Sequence, residues 1–294
     1  MFTTLVSPSI VADHLGDDRW VLVDCRFDLQ NPDAGEQLYR DAHVPGAVYA
    51  HLDRDLSGPR TGANGRHPLP SPEALADTLS GWGIEPGVQV VVYDQNTGMF
   101  AGRLWWLLRA SGHEAVAMLD GGFAGWQAEG RPTRAGVERR TPRPYRGALA
   151  RERWLSATEV IERLGDSRHV LIDARAPERY QGLTEPIDAA AGHIPGAVNH
   201  HYSDNLGPDG RFRSPDELRA LFADVVGVAT PDRLIAYCGS GVSACHNILA
   251  LELAGYRGVR LYAGSWSEWS SDPDRPVETG PGAAAGRPAP RQAK

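Results

Sequence analysis

The chain has 294 residues, which is long for one domain and sufficient for two domains of about 140 residues each. Hydrophobic residues make up 41% of it, as in ordinary globular proteins, and no apolar run approaches the roughly 20 residues that span a bilayer. The net charge of −7 and the absence of Lys and Arg runs argue against nucleic acid or a membrane surface as the main partner.

Two strand–helix pairs are predicted, one in each half of the chain. In chain order they are the strand Val88–Tyr93 with the helix Ala101–Ala110, and the strand Leu234–Tyr237 with the helix Val242–Ala254. Continuous apolar strands followed by helices indicate an α/β fold, in which a mostly parallel sheet has helices on both faces. Ligands of such sheets bind beyond the carboxyl ends of the strands, so we expect chemistry after Tyr237.

The chain repeats itself once. Four motifs of the first half recur in the second half in the same order: Val21–Arg26 and Val170–Arg175, His43–Val48 and His193–Val198, Val91–Tyr93 and Ile235–Tyr237, Trp126 and Trp269. Such ordered self-similarity indicates a duplication. The prediction is therefore two domains of the same fold.

The domain boundaries follow from the repeat and from composition. We predict a first domain at 1–132, a Pro- and Arg-rich linker at 133–153, a second domain at 154–279 and a disordered tail at 280–294. Aligning Tyr93 with Tyr237 puts Asp94 where the second half has Cys238. Because a carboxylate lacks the nucleophilic reactivity of a thiolate, the first domain is predicted to be catalytically silent.

The cysteines indicate the compartment. The chain has three, an odd number, and no Cys-x-x-Cys pair, which argues against a disulfide framework and against a structural zinc site. The first ten residues lack the basic and apolar regions of a secretory signal. We therefore expect a cytoplasmic location and no bound metal.

One loop carries the candidate chemistry. Cys238 ends a strand, and a turn containing Gly239 and Gly241 leads directly into a helix. Successive backbone N–H groups of such a turn, together with the helix N-terminus, can point at one anion and stabilise a cysteine thiolate. The alternative is a buried strand-end cysteine beside a glycine turn. The loop alone favours the functional interpretation.

At this loop the sequence resembles the tandem rhodanese family, over about residues 5–278. The run from Cys238 to Ala244 is similar to the active-site loop of 3-mercaptopyruvate sulfurtransferases, with Ser243 where those have Thr. Thiosulfate-preferring relatives have basic residues just after the cysteine, where this chain has Gly239 and Ser240. Three further motifs are family-like: Asp173–Arg175, Gly192–Gly196 and Gly264–Trp269.

The resemblance implies a sulfurtransferase of the EC 2.8.1 class. It would move a sulfane sulfur from 3-mercaptopyruvate or thiosulfate to cyanide or to a thiol acceptor such as thioredoxin, through a persulfide on Cys238, without a cofactor. The loop residues that would hold the donor are Gly239, Gly241, Val242 and Ser243.

Arg179 matches a family arginine that binds the anionic donor, and a guanidinium can hold such a group through two hydrogen bonds. The alternative is a surface arginine paired with Glu178 or Glu185. The mercaptopyruvate enzymes have a second arginine shortly before the Gly-His motif, whereas 184–191 of this chain contains none.

The family also implies a relay of Ser240, His67 and Asp53 that could assist departure of the enolate. The alternative is that His67, in a Pro-rich loop, is simply exposed.

Two other functions compete with sulfur transfer. A phosphatase or arsenate reductase needs an arginine six or seven residues after the cysteine, where this chain has Ala244 and Cys245. That interpretation is therefore disfavoured. A persulfide carrier or redox-sensing interaction module would keep the reactive Cys238 but would not need Arg179.

Overall fold

The structure is a computed structural model that describes residues 1–282. Most of the predicted tail, 283–294, lies outside the described residues. The chain forms two compact units. One unit comprises Met1–Pro59, Leu69–Ala150 and Leu206–Phe212, and the other comprises Arg60–Pro68, Arg151–Asn205 and, among the described residues, 213–282.

The first unit is a five-stranded parallel sheet with the strand order β1-β5-β4-β2-β3. Its strands are β1 Leu5–Val6, β2 Trp20–Asp24, β3 Val48–Tyr49, β4 Gln89–Tyr93 and β5 Val116–Leu119. Its helices are α1 Pro8–Asp13, α2 Ala34–Asp41, α3 Leu52–Asp55, α4 Pro72–Gly81, α5 Ala101–Ala110 and α6 Gly122–Ala128.

The second unit repeats this sheet with the order β6-β10-β9-β7-β8, again parallel throughout. Its strands are β6 Trp154–Leu155, β7 Val170–Asp173, β8 Val198–Asn199, β9 Leu234–Tyr237 and β10 Arg260–Tyr262. Its helices are α7 Ala157–Ile161, α8 Pro177–Tyr180, α9 Pro215–Val226, α10 Ser243–Leu253 and α11 Ser265–Trp269, with 3-10 turns at Arg151–Arg153, Tyr202–Asn205 and Pro231–Arg233.

The central strand of each sheet is buried along its whole length. Every residue of β4 and every residue of β9 is buried. Because successive side chains of a strand point to opposite faces, complete burial means that both faces of the sheet are covered. This confirms the predicted α/β fold, and it explains why these strands read as unbroken apolar runs.

A buried Asp–Arg pair follows the same strand in each unit. Arg26 Nη2 lies 2.6 Å from Asp24 Oδ2, and Arg175 Nη2 lies 2.7 Å from Asp173 Oδ2. All four residues are almost fully buried. The charges therefore compensate each other inside the protein, as buried ion pairs must.

The predicted linker 133–153 needs correction. Its residues up to Ala150 cluster with the first unit rather than forming a separate connection. Arg134 and His43 exchange two backbone hydrogen bonds, and Tyr145 is buried with its hydroxyl 2.7 Å from Ser111 Oγ. Most of the segment is exposed, as composition suggested, and Tyr145 is the one buried residue within 133–150.

The predicted boundary at residue 132 also misses a short segment. Residues 60–68 fall in the second unit although they precede most of the first unit in the chain. No pattern in the Pro- and Gly-rich sequence of this segment identifies its packing partner.

No helix within residues 1–282 combines the length and the apolar character that crossing a membrane requires.

Candidate active site

Cys238 follows the central strand of the second sheet. It comes directly after β9, which lies between β10 and β7, and only 2% of the residue is exposed. Its backbone carbonyl accepts a hydrogen bond from Trp266 N–H at 2.9 Å, and its N–H donates to Ser265 Oγ at 3.1 Å. The start of α11 therefore fixes the backbone of the nucleophile candidate.

The turn after Cys238 is held close to the neighbouring strand end. Gly241 has a φ of +74°, and a Cβ there would lie 2.3 Å from the Ala263 carbonyl oxygen, so only glycine fits. Gly239 O accepts from Ser267 N–H at 2.9 Å. Val242 is buried and has no side-chain cap to offer the helix that follows. The positive N-terminal end of α10, beginning at Ser243, thus faces the loop.

Ser240 and His67, two members of the relay that the resemblance implied, lie in contact. Their Oγ and Nδ1 atoms are 2.8 Å apart, and both residues are buried. In the tautomer that carries its proton on Nε2, the imidazole accepts a hydrogen bond from the serine hydroxyl. The alternative of an exposed His67 is therefore wrong.

Asp53 lies on α3 of the first unit. Its N–H donates to His51 Nδ1 at 3.1 Å, which caps the short helix. Its membership of the relay stays a prediction.

Arg179 binds two carboxylates. It contacts Glu185 through two hydrogen bonds, Nη2 to Oε1 at 2.7 Å and Nε to Oε2 at 3.2 Å, and its Nη2 also donates to Asp188 Oδ2 at 2.8 Å. The pairing with Glu185 that we considered as the alternative is thus present, and Asp188 adds to it. Donor binding by Arg179 stays a prediction.

Arg66 is a site residue that the sequence analysis missed. Its Nη1 forms an ion pair with Asp188, and its N–H donates to Ser267 Oγ at 3.0 Å. Burial lowers the pKa of the Arg66 guanidinium, and the charge of the Cys238 thiolate opposes that shift. The available signal was only its position beside His67.

Arg66 and Arg179 converge on the loop. A methyl group added at Gly239 would lie 2.8 Å from Arg66 Nη2 and 3.5 Å from Arg179 Nη1. Two guanidinium groups therefore approach the backbone of the residue after Cys238. Such a pair is suited to a small anionic ligand.

Arg175 is a third guanidinium near Arg66 and Arg179, and it is buried. Burial disfavours its charge, but the surrounding groups, chiefly Asp173 and also Glu185, together raise the pKa of Arg175. Its Nη1 lies 3.3 Å from Glu185 Oε2, and the guanidinium stacks 4.6 Å from the Trp266 ring centroid. Glu185 is thereby held between Arg175 and Arg179.

Comparison with known proteins agrees with this geometry. A family model described as the rhodanese-like domain matches residues 7–129 and, again, residues 156–272. The chain belongs to the rhodanese-like domain family. It has two copies of the domain, as the internal repeat predicted.

Three similar rhodanese proteins illustrate the relationship. A Pseudomonas aeruginosa protein named "Probable 3-mercaptopyruvate sulfurtransferase" is 46% identical over 278 residues, which cover 94% of this chain and 98% of that protein. The thiosulfate sulfurtransferase of Cricetulus griseus is 40% identical over 240 residues, which cover 79% and 78%. The solved structure of 3-mercaptopyruvate sulfurtransferase from Leishmania major superposes with a TM-score of 0.80 at 33% identity, covering 91% of this chain and 74% of that one.

The first rhodanese domain carries Asp94 at the position equivalent to Cys238, directly after its central strand β4. Asp94 Oδ1 accepts from the N–H groups of Asn96 and Gly98 at 3.2 and 2.8 Å, and Oδ2 accepts from Phe100 and Ala101 at 2.9 and 3.3 Å. Burial raises the pKa of Asp94 although four donors favour its charged form. In this rhodanese domain, therefore, a fixed carboxylate fills the cradle that the loop provides.

Among residues 1–282, His, Cys, Asp and Glu side chains form no group of three or more that could hold a metal ion.

Proposed function

We propose that Cys238 carries a sulfane sulfur as a persulfide between a small anionic donor and a nucleophilic acceptor. The chain is a sulfurtransferase, as its relatives are. The observation that carries the proposal is the convergence of two guanidiniums and a Ser–His pair on the loop that follows a buried strand-end cysteine.

The transfer has two steps. The Cys238 thiolate attacks the outer sulfur of the donor, forming an S–S bond while the bond from that sulfur to the rest of the donor breaks. With 3-mercaptopyruvate the electron pair leaves on the enolate of pyruvate, and with thiosulfate it leaves on sulfite. Cyanide or a thiolate then attacks the outer sulfur, and the electron pair returns to Cys238.

The cationic pair gives the donor a place to bind. Arg66 and Arg179 approach Gly239, which adjoins the reacting sulfur. A carboxylate or sulfonate held there would place the outer sulfur of the donor beside Cys238. Positioning of this kind can supply a large part of the rate enhancement in a displacement reaction.

The Ser240–His67 contact suits proton delivery to the leaving enolate. A serine hydroxyl within 2.8 Å of an imidazole can pass its proton to the leaving carbon or oxygen when the histidine is protonated on both nitrogens, because Nδ1–H then returns a proton to the serine oxygen and leaves a neutral imidazole. Asp53 as the third member of this relay is part of the proposal. Thiosulfate needs no such proton, because sulfite leaves as a stable anion.

The acceptor and the compartment complete the proposal. A thiol acceptor such as thioredoxin, and a cytoplasmic location, fit a chain whose three cysteines are all free and buried.

The direct test replaces Cys238 with serine. Cys238→Ser should abolish thiocyanate formation from both donors, and wild-type protein treated with donor should gain the mass of one sulfur atom on the peptide that contains Cys238. Cys25→Ser is the matched control, because Cys25 is equally buried but lies in the silent domain. Sulfur transfer by Cys238→Ser would disprove the proposal.

A further inference from the structure

The anion site beside Cys238 is already occupied by a side chain of the protein. Asp188 contacts both guanidiniums of the site, Arg66 Nη1 with one oxygen and Arg179 Nη2 with the other, the latter at 2.8 Å. Only 3% of its side chain is exposed. Its carboxylate therefore lies where the two arginines would hold an anionic donor.

The segment around Asp188 is built to present this carboxylate inward. Residues 183–191 contain no helix or strand, and Leu183 and Ile187 are 69% and 51% exposed. This is the reverse of ordinary burial preference, in which apolar side chains face inward and carboxylates face water. Glu185 Oε1 accepts from the N–H groups of Ile187 and Asp188 at 3.1 and 3.0 Å, which fixes the turn that aims Asp188.

The balance of charges in the site shows why the Asp188 carboxylate affects donor binding. Three guanidiniums, those of Arg66, Arg175 and Arg179, contact three carboxylates, those of Asp173, Glu185 and Asp188. A donor anion entering this cluster would add negative charge without a new cation to balance it. Displacing one carboxylate to solvent would keep the balance, and partly buried charges make that balance energetically important.

Asp188 is the carboxylate best placed to leave. Asp173 is bound to Arg175 inside the protein, and Glu185 is held by Arg175, Arg179 and two backbone N–H groups. Asp188 binds the two arginines nearest the loop and belongs to a segment with exposed neighbours.

We infer that Asp188 is a specificity-determining internal competitor, which mimics the donor's carboxylate and must yield the two arginines before a donor reaches Cys238. The inference rests on the proposed function for the identity of the donor. A site that fits an aspartate carboxylate between two guanidiniums favours a 2-oxo monocarboxylate donor over the dianion thiosulfate. The exchange also explains why a cysteine with 2% exposure can react.

Alkylation of the full-length protein tests the exchange without relying on sulfur transfer. Iodoacetate carries a carboxylate and iodoacetamide does not, while both react with a thiolate by releasing iodide. Removing the charge in Asp188→Asn should raise the ratio of the iodoacetate rate to the iodoacetamide rate at Cys238 about tenfold, as expected for loss of one competing ion pair. Asp216→Asn, on the exposed first turn of α9, makes the same charge change and should leave the ratio unchanged.

An unchanged or lower ratio in Asp188→Asn would show that Asp188 only holds the arginines in place, which overturns the inference. If that variant does not fold, Asp188→Ser is measured in its place. The wild-type protein provides a further arm: its iodoacetate-to-iodoacetamide ratio should not exceed that of free cysteine, because Asp188 offsets the arginines. A wild-type iodoacetate-to-iodoacetamide ratio about tenfold or more above that of free cysteine would contradict the inference.

Steady-state kinetics provide the second readout. In Asp188→Asn the KM for 3-mercaptopyruvate should fall about tenfold with kcat retained, and the KM for thiosulfate should fall further, because its second charge profits more from an unopposed pair of arginines. A rise in KM for both donors would overturn the inference. If the protein transferred no sulfur at all, the proposed function would fail while the alkylation result would still stand.

Discussion

Ser265 shows how the site stores strain at a single residue. Its φ of +54° is the one left-handed backbone angle at a non-glycine residue within the part of the chain that the structure describes. At the equivalent place in the first domain, Gly122 has a φ of +60° at no steric cost. The serine retains this conformation because its Oγ accepts from Cys238 N–H and donates to Tyr262 O at 2.9 Å. Strain of this kind is typical of functional sites.

Two substitutions at Ser265 separate the strain from the hydrogen bonds. Ser265→Ala keeps the left-handed strain of about 1–2 kcal/mol and loses hydrogen bonds worth about 1 kcal/mol each, so it should lower the melting temperature. Ser265→Gly loses the same bonds but relieves the strain, so its melting temperature should stay near that of the wild type. Both should transfer sulfur more slowly, because Cys238 N–H loses its partner. A glycine variant less stable than the alanine variant would contradict this account.

Substitution of Arg179 distinguishes an enzyme that binds a small sulfur donor from a protein that only carries sulfur. Arg179→Ala should raise the KM for 3-mercaptopyruvate about 10- to 100-fold, because a charge-assisted pair of hydrogen bonds to the donor is lost. Arg179→Lys keeps the charge but lacks the planar guanidinium, so its KM for 3-mercaptopyruvate should lie between those of the wild type and of Arg179→Ala. Arg168→Ala, in an exposed ion pair with Asp166, is the control. Unchanged donor kinetics in Arg179→Ala would favour a carrier that needs no small-donor pocket.

At the scale of elements, the loop after the central strand is the same device in both domains. Trp266 N–H donates to Cys238 O, and Phe123 N–H donates to Asp94 O, both at 2.9 Å. A second bond from the next residue follows in each unit, to Gly239 O in one and to Gln95 O in the other. The strand end and the loop are thus tied in the same way in both domains to the helix that follows the neighbouring strand, and in the first domain the loop N–H groups also bind the Asp94 carboxylate.

Asp94 tests whether the cradle requires an anion. Asp94→Asn should destabilise the first domain by about 2–4 kcal/mol, because an amide turns a donor toward backbone N–H groups that need acceptors. The exposed Asp77→Asn on α4 makes the same charge change and should be neutral. Urea denaturation followed by tryptophan fluorescence gives the comparison. Equal stability of the two variants would show that the cradle tolerates loss of its anion.

Local patterns predicted the elements of the site but not its long-range contacts. The helix predicted at Val242–Ala254 is observed at Ser243–Leu253, because strand-end glycines and apolar periodicity are local signals. The Ser240–His67 contact came from the family resemblance. Arg66 and Asp188 were missed, since an ion pair between residues 122 positions apart leaves no trace in either local sequence.

At the scale of the whole molecule, the sequence predicted the duplication but not which unit every segment belongs to. Repeated motifs predicted two copies of one fold, which both sheets confirm. Segments 60–68 and 206–212 each join the unit that the linear order does not suggest. Their placement depends on a few side chains, such as His67, rather than on periodicity. Segment 60–68 carries two residues of the candidate site, His67, which the family resemblance implied, and Arg66, which it did not.

Buried histidines throughout the molecule contribute to its response to acid. Burial lowers the pKa of six histidines below the ordinary value of about 6.5: His51, His113, His169, His193, His200 and His201. The unfolded chain therefore takes up protons on these groups first as the pH falls. Their contribution to stability is complete above pH 6.5 and is lost as the pH falls from that value through the lowered native pKa values.

The contribution of a single buried histidine to acid sensitivity can be measured at His113. Its Nε2 donates to Val88 O at 3.0 Å in a buried position, and a glutamine amide could donate to the same oxygen without titrating. The melting temperature of the wild type minus that of His113→Gln should therefore shrink as the pH falls from about 7 to about 5, since only the wild type loses the contribution of this histidine. Subtracting the variant cancels the carboxylates whose pKa burial raises, such as Asp120 and Glu268, because both proteins contain them. A difference that stays constant or grows over this range would mean that His113 is protonated as readily in the folded protein as in the unfolded chain, and that its burial does not govern its charge.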